Sequence, residues 1–146
     1  MSVTRSLAMA VSLVIATLIT AGAAAMEPLD SYRWQNRVLV MFAKSGDPQI
    51  QAQRDELLPV REQLDERDLV VFTVIDGRRI EPVHGRAPTN DQAALLQAAL
   101  DPPADAGFTA MLVGKDGGVK WQADRPARQG ELFGLIDAMP MRRNEH

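Results

Sequence analysis

The sequence contains no cysteine, which excludes disulfides, thiol redox chemistry and thiolate metal sites at a stroke. Histidine is nearly as scarce. His84 lies in a polar loop and His146 ends the sequence, and the carboxylates are scattered, so no metal-ligand spacing is visible. Positive charge is not in excess either, with 16 Lys and Arg against 19 Asp and Glu, net −3. Internal repeats and low-complexity tracts are absent.

Residues 1–25 belong to a different kind of segment from the rest. Arg5, an apolar run over residues 7–19, and Ala23, Ala24 and Ala25 form a secretory signal pattern, with cleavage expected after Ala25. The alternative is an uncleaved anchor, because residues 7–25 approach the roughly 20 apolar residues that span a bilayer. Membrane contact would then run through this segment alone. Both readings place the folded part outside the cytoplasm, periplasmic or secreted. Removing residues 1–25 takes away one Arg and no acid, so 16 − 1 = 15 bases face 19 acids, net −4. Such a chain does not attract nucleic acid by bulk charge. Residues 26–146 suit a single domain large enough to bury a core without covalent staples.

Two continuous apolar runs, residues 37–43 (RVLVMFA) and 69–75 (LVVFTVI), read as strands covered on both faces. Between them Asp47 is a helix cap with Pro48 in the first turn, and Ile50, Leu57 and Leu64 recur every seven residues. Pro59 should kink or break that helix. Strand, helix, strand at these lengths predicts a parallel crossover. Ahead of the first strand, Tyr32 and Trp34 are expected to pack over the edge of the core.

Residues 76–88 read as a polar loop. Thr89 and Asn90 then cap a helix carrying Leu95, Leu96, Ala99 and Leu100, stopped by Pro102 and Pro103. Residues 109–113 and the alternating Val119, Trp121 and Ala123 form a hairpin around Asp116-Gly117-Gly118. Leu132, Phe133, Ile136 and Met139 line a last helix, which Pro140 is expected to end. The order is βαβαββα, an α/β succession of the thioredoxin-like kind. It predicts a four-stranded mixed sheet ordered 2-1-3-4, with helices on both faces.

Residues 29–40 (LDSYRWQNRVLV), 67–71 (RDLVV), 112–120 (LVGKDGGVK) and 136–145 (IDAMPMRRNE) resemble the motifs of the family called domain of unknown function 4174. The resemblance spans nearly the whole chain after residue 25. It implies a thioredoxin-like fold and an exported protein, since members occur in exported bacterial proteins and secreted animal matrix proteins. It implies no established activity and no cofactor.

In thioredoxin-like domains the redox pair follows the first strand. Here Lys44, Ser45, Gly46, Asp47 and Pro48 stand there, and Phe108-Thr109 replaces the proline that usually precedes strand 3. Both departures argue against oxidoreductase or isomerase work. Tracing chain directions instead brings the four motifs to the opposite pole, where Arg37, Asp68, Lys115, Asp116, Asp137, Arg142, Arg143 and Glu145 should meet. One reading is a recognition surface, with Arg supplying planar donors for a carboxylate or phosphate. The other is an ionic clasp that fixes the tail, in which Arg142 and Arg143 also offset a helix C-terminus. A second candidate, for an anion or peptide at the start of the first helix, gathers Lys44, Ser45, Arg78, Arg79, His84 and Arg86.

Two functions follow. The first is a non-redox binding module of the cell envelope, taking a protein or a small anionic ligand. The second is an acid-base hydrolase using His84 with Asp76 or Asp47, and it depends on hydrogen-bond reach between those groups.

Overall fold

The computed structural model describes residues 27–145, so the signal segment expected over residues 1–25, and His146, lie outside the described residues. Strands β1 (Arg37–Ala43) and β2 (Leu69–Ile75) are buried along their whole lengths, as their unbroken apolar composition requires. They pair in parallel, with Arg37 beside Leu69 and Ala43 beside Ile75. The crossover between them is α1 (Pro48–Leu57), a single 3-10 turn at Leu58–Val60, and α2 (Arg61–Glu66). Pro59 sits in that turn and accounts for the break, because its ring has no N–H to continue the ladder. Asp47 caps α1 by accepting the Gln49 amide at 2.9 Å.

The loop expected over residues 76–88 contains a strand, β3 (Arg79–His84), antiparallel to the outer side of β2. Among the described residues the sheet therefore has five strands, ordered β3-β2-β1-β4-β5, rather than four. Its inner four keep the expected order, with β4 (Phe108–Val113) antiparallel to β1 and β5 (Val119–Ala123) closing the hairpin. Gly117 holds φ +85° in the hairpin turn and lies beneath the Arg33 guanidinium, where an added Cβ would approach Arg33 to 3.1 Å.

Helix α3 (Ala93–Leu100) follows a 3-10 turn at Asn90–Gln92 and ends on Asp101, which adopts the left-handed conformation before Pro102. Helix α4 (Gln129–Asp137) is not ended by Pro140. It stops at Asp137, and Pro140 begins a separate short helix, α5 (Pro140–Arg143), in the first-turn position where a missing N–H costs nothing.

Side chains alternate across the sheet into two cores. Leu39, Met41, Val71, Ala110 and Leu112 pack beneath α1, α2 and α4, through Leu57, Leu64, Leu132 and Ile136. Val38, Val40, Phe72, Val74 and Met111 pack beneath α3 and the lead-in turn, through Leu96 and Tyr32. Gln53, fully buried on α1, both donates to the Ala127 carbonyl at 2.9 Å and accepts from its amide at 2.7 Å. That two-point contact sets where the chain enters α4.

Tyr32 packs as its position predicts and donates its hydroxyl to the Arg86 carbonyl at 2.5 Å. Trp34 does not pack. It is 63% exposed, holds φ 67°, and donates its amide to the Lys115 carbonyl at 2.7 Å. The backbone bond to the hairpin decides its conformation, and that conformation points a large apolar side chain away from the core.

Candidate functional site

Chain direction builds the site. Parallel β1 and β2 both start at one end of the sheet, the antiparallel hairpin β4–β5 turns there, and α4 and α5 finish there. Arg37 is the first residue of β1 and is only 1% exposed, so its guanidinium must find partners inside the protein. It donates to the Arg67 carbonyl at 2.9 Å and to Glu145 Oε1 at 3.3 Å. Lys115, at the hairpin, donates to Asp68 at 2.8 Å and to the same Glu145 oxygen at 2.5 Å. Asp68 can offer its carboxylate from the residue before β2 because it takes the left-handed conformation, φ 50°, which Asp tolerates.

Arg142 of α5 is 5% exposed. It reaches the Glu66 carbonyl at 2.9 Å, the Glu66 carboxylate at 3.1 Å, Asp137 at 3.5 Å and Glu145 Oε2 at 3.4 Å. Arg67 grips Asp137 with both arms of its guanidinium, at 3.0 and 2.9 Å, while its plane lies 4.2 Å over the Phe133 ring. Four cations, Arg37, Arg67, Lys115 and Arg142, thus meet four carboxylates, Glu66, Asp68, Asp137 and Glu145. The cluster is neutral as a set.

Titration follows from that geometry. Burial disfavours the Glu145 carboxylate, but hydrogen bonds from Lys115 and Arg37 outweigh it and bring its pKa from 4.5 to about 2. Burial also opposes the Lys115 charge, and its bonds to Asp68 and Glu145 outweigh that, so Lys115 is raised. The Arg67 hydrogen bond holds Asp137 below the usual carboxylate range.

The structure brings together Arg37, Asp68, Lys115, Asp137, Arg142 and Glu145 from the first candidate set. Asp116 does not join them. It turns to Lys120 at 2.7 Å across its own hairpin and caps the Gly118 amide at 3.0 Å. Arg143 is exposed and takes no part in the cluster's hydrogen bonds among the described residues. Glu66 is the addition that sequence reasoning missed, whereas Arg67 was expected at this pole with residues 67–71 but was not named among the cluster's side chains. The signal for Glu66 was present, since the last turn of α2 must precede β2 at this same end.

The second candidate set is divided by β3, which carries the chain from one end of the sheet to the other. Lys44, Ser45, Arg78 and Arg79 stay near the start of α1, where the Ser45 amide bonds Asp76 at 3.2 Å and Arg79 pairs with Glu81 at 3.0 Å. His84 stands beside Val71 and donates Nε2–H to Asp65 at 2.7 Å. Asp76 lies five residues along β2 from Val71, about 17 Å at the rise of a strand. Asp47 is at that distant end too, so the pair on which the hydrolase reading depends does not form.

Beside the ionic cluster is a half-open cleft of about 770 Å3 between the lead-in turn and the chain leaving β3. Its walls include Ser31, Gln35, Asn36, Asp68, His84 and Arg86. The volume is in the range of ligand sites, and the lining offers amide, hydroxyl, carboxylate and guanidinium groups together with the His84–Asp65 pair, beside which no nucleophile is hydrogen-bonded among the described residues. Among the described residues no group of three or more His, Asp and Glu side chains is arranged to hold a metal.

Comparisons with known proteins agree with this architecture. The family model described as Domain of unknown function (DUF4174) matches residues 28–145. A solved DsbF homologue from Corynebacterium diphtheriae is similar with a TM-score of 0.52 and 18% identity, over 76% of this chain and 76% of that one. At that identity the likeness establishes a thioredoxin-like fold and nothing further. No curated protein matches the chain.

Proposed function

Because the chain belongs to the DUF4174 family, whose description carries no activity, we propose its function from geometry: a non-redox thioredoxin-like binding module exported to the cell envelope. Its ligand is a segment of another envelope protein, held in the cleft between the lead-in turn and the end of β3. The observation that carries this reading is the cleft itself, where polar groups stand among apolar side chains, with the two walls tied together by the Tyr32 bond to Arg86 and an ion pair at the margin. Mixed donors and acceptors suit peptide backbone and side chains, and the absence of cysteine excludes thiol exchange with the bound segment. Export rests on the signal pattern of residues 1–25 and has its own check: the amino terminus of the mature protein recovered from an envelope fraction should be Met26.

A photo-crosslinking side chain placed at Gln35, inside the cleft, tests the site. It should capture one discrete envelope protein, and the added substitution Arg86→Ala should weaken that capture. The same probe at Gln51, near the other end of the sheet, should capture nothing discrete. Equal labelling from both positions would remove the cleft from consideration.

A further inference from the structure

Glu145 differs from the other three carboxylates of the cluster in how many cations it satisfies. Arg37 and Lys115 both donate to its Oε1 and Arg142 donates to its Oε2, so three cations from three elements converge on one group. Without Glu145 the remaining pairs survive unevenly. Lys115 keeps Asp68, and Arg142 keeps Glu66 and Asp137. Among the described residues Arg37 keeps only the Arg67 carbonyl, which leaves one buried positive charge uncompensated. A buried guanidinium in that state is strongly unfavourable and demands an anion.

The backbone of Glu145 is held less firmly than its carboxylate. Asn144 and Glu145 lie beyond the four residues of α5, and their backbone amides reach only Met141 and Arg142. Arg142 stays anchored without them, through the Glu66 carbonyl and carboxylate and through Asp137. Unwinding that last turn therefore opens a site already furnished with its donors.

We propose that Arg37, Lys115 and Arg142 form a carboxylate-binding site that the chain fills with its own Glu145. A carboxylate from elsewhere, whether an acidic side chain of a bound partner or a small organic acid, takes the place when Asn144 and Glu145 turn away. This goes beyond the cleft and does not depend on it. The chemistry selects a monoanion. One negative charge restores neutrality, whereas a dianion overshoots it and meets Glu66, Asp68 and Asp137 at close range. The donors are arranged as a fork for two oxygens, as Glu145 uses them.

Chemical rescue tests the site. Glu145→Ala should lower the thermal midpoint, and acetate should restore it along a saturating curve at constant ionic strength, as a ligand that binds only the folded state does. Phosphate and chloride should restore less, and wild type should need at least tenfold more acetate for any response. Glu145→Ala with Lys115→Ala should lose most of the saturable response. If Glu145→Ala does not fold, Glu145→Gln keeps the shape of the side chain, and acetate binding is then read from line broadening of labelled acetate. Equal, non-saturating effects of acetate and chloride would mean general screening and overturn the proposal, as would a Glu145→Ala protein as stable as wild type. Acetate partner sources are separated by comparing an acidic peptide with free acetate. Tighter binding of the peptide assigns the site to a protein partner, and equal binding assigns it to small acids.

Discussion

At one end of the sheet Arg37, Arg67, Lys115 and Arg142 share four carboxylates, three of the cations being almost fully buried. At the other end Lys44, Arg78 and Arg79 stand exposed, and among the described residues only Arg79 meets a carboxylate, Glu81, two places along its own strand. The second end is where related folds carry a thiol pair, yet here it is an ordinary solvated loop. Location in a fold therefore does not carry function by itself, and the side chains have to be read where they stand. The difference also matters for stability. Exposed pairs contribute about 0–1 kcal/mol, while breaking a buried pair leaves a charge that water cannot reach.

The strongest way to break this comparison is Arg37→Ala. Removing the buried guanidinium empties the space under the cluster and takes one of three donors from Glu145, which keeps Lys115 and Arg142, and chemical denaturation should show a loss of about 2–5 kcal/mol. Glu145→Gln should cost less, about 1–2 kcal/mol once screening of a side chain one-quarter exposed is allowed for. Its pH dependence has a definite sign. Because the folded pKa is depressed from 4.5 to about 2, the stabilisation by Glu145 is complete above about pH 4.5 and is lost as pH falls towards 2. The difference in stability between wild type and Glu145→Gln, followed by denaturant titration, should shrink across that window, and a constant difference would contradict the pairing.

A smaller effect of opposite sign is expected for Trp34→Gly. Glycine takes φ 67° without strain and the amide bond to Lys115 survives, so the domain should gain about 0.5–1 kcal/mol. A loss of stability would show that the indole packs more than its exposure indicates. Smallest of all, replacing Lys44, Arg78 and Arg79 together by Ala should change the unfolding free energy by no more than about 0.5 kcal/mol per site. A drop comparable to that of Arg37→Ala would erase the contrast between the two ends.

Much of the architecture was legible in the sequence because its strands are buried on both faces and so appear as unbroken apolar runs. Residues 79–84 were not, since β3 is an edge strand with only Ile80 and Val83 buried and with Pro82 inside it. Pro is tolerated at an edge, where its missing N–H would face solvent, so the feature that suggested a loop was compatible with a strand. Pro140 misled in a related way, because a proline expected to end one helix instead opens the next, the first having already stopped at Asp137. The meeting of Arg37, Asp68, Lys115 and Arg142 followed from chain direction alone. Side-chain choice did not. Asp116 prefers Lys120, four residues along the turn, and no pattern in the sequence says which of two neighbouring arginines, Arg142 or Arg143, is drawn inward.

The hydrogen bond between Arg37 and Glu145 also bears on the order in which the protein assembles. The two residues are 108 positions apart, so the loop it closes is almost the whole of the described chain. Local contacts such as the β4–β5 hairpin can form early, whereas this one waits for both ends to be present. Until then Arg37 lacks the one carboxylate it meets among the described residues. Pairing Arg37 at the start of β1 therefore requires a contact that closes nearly the whole described segment, the kind whose loop-closure entropy is greatest.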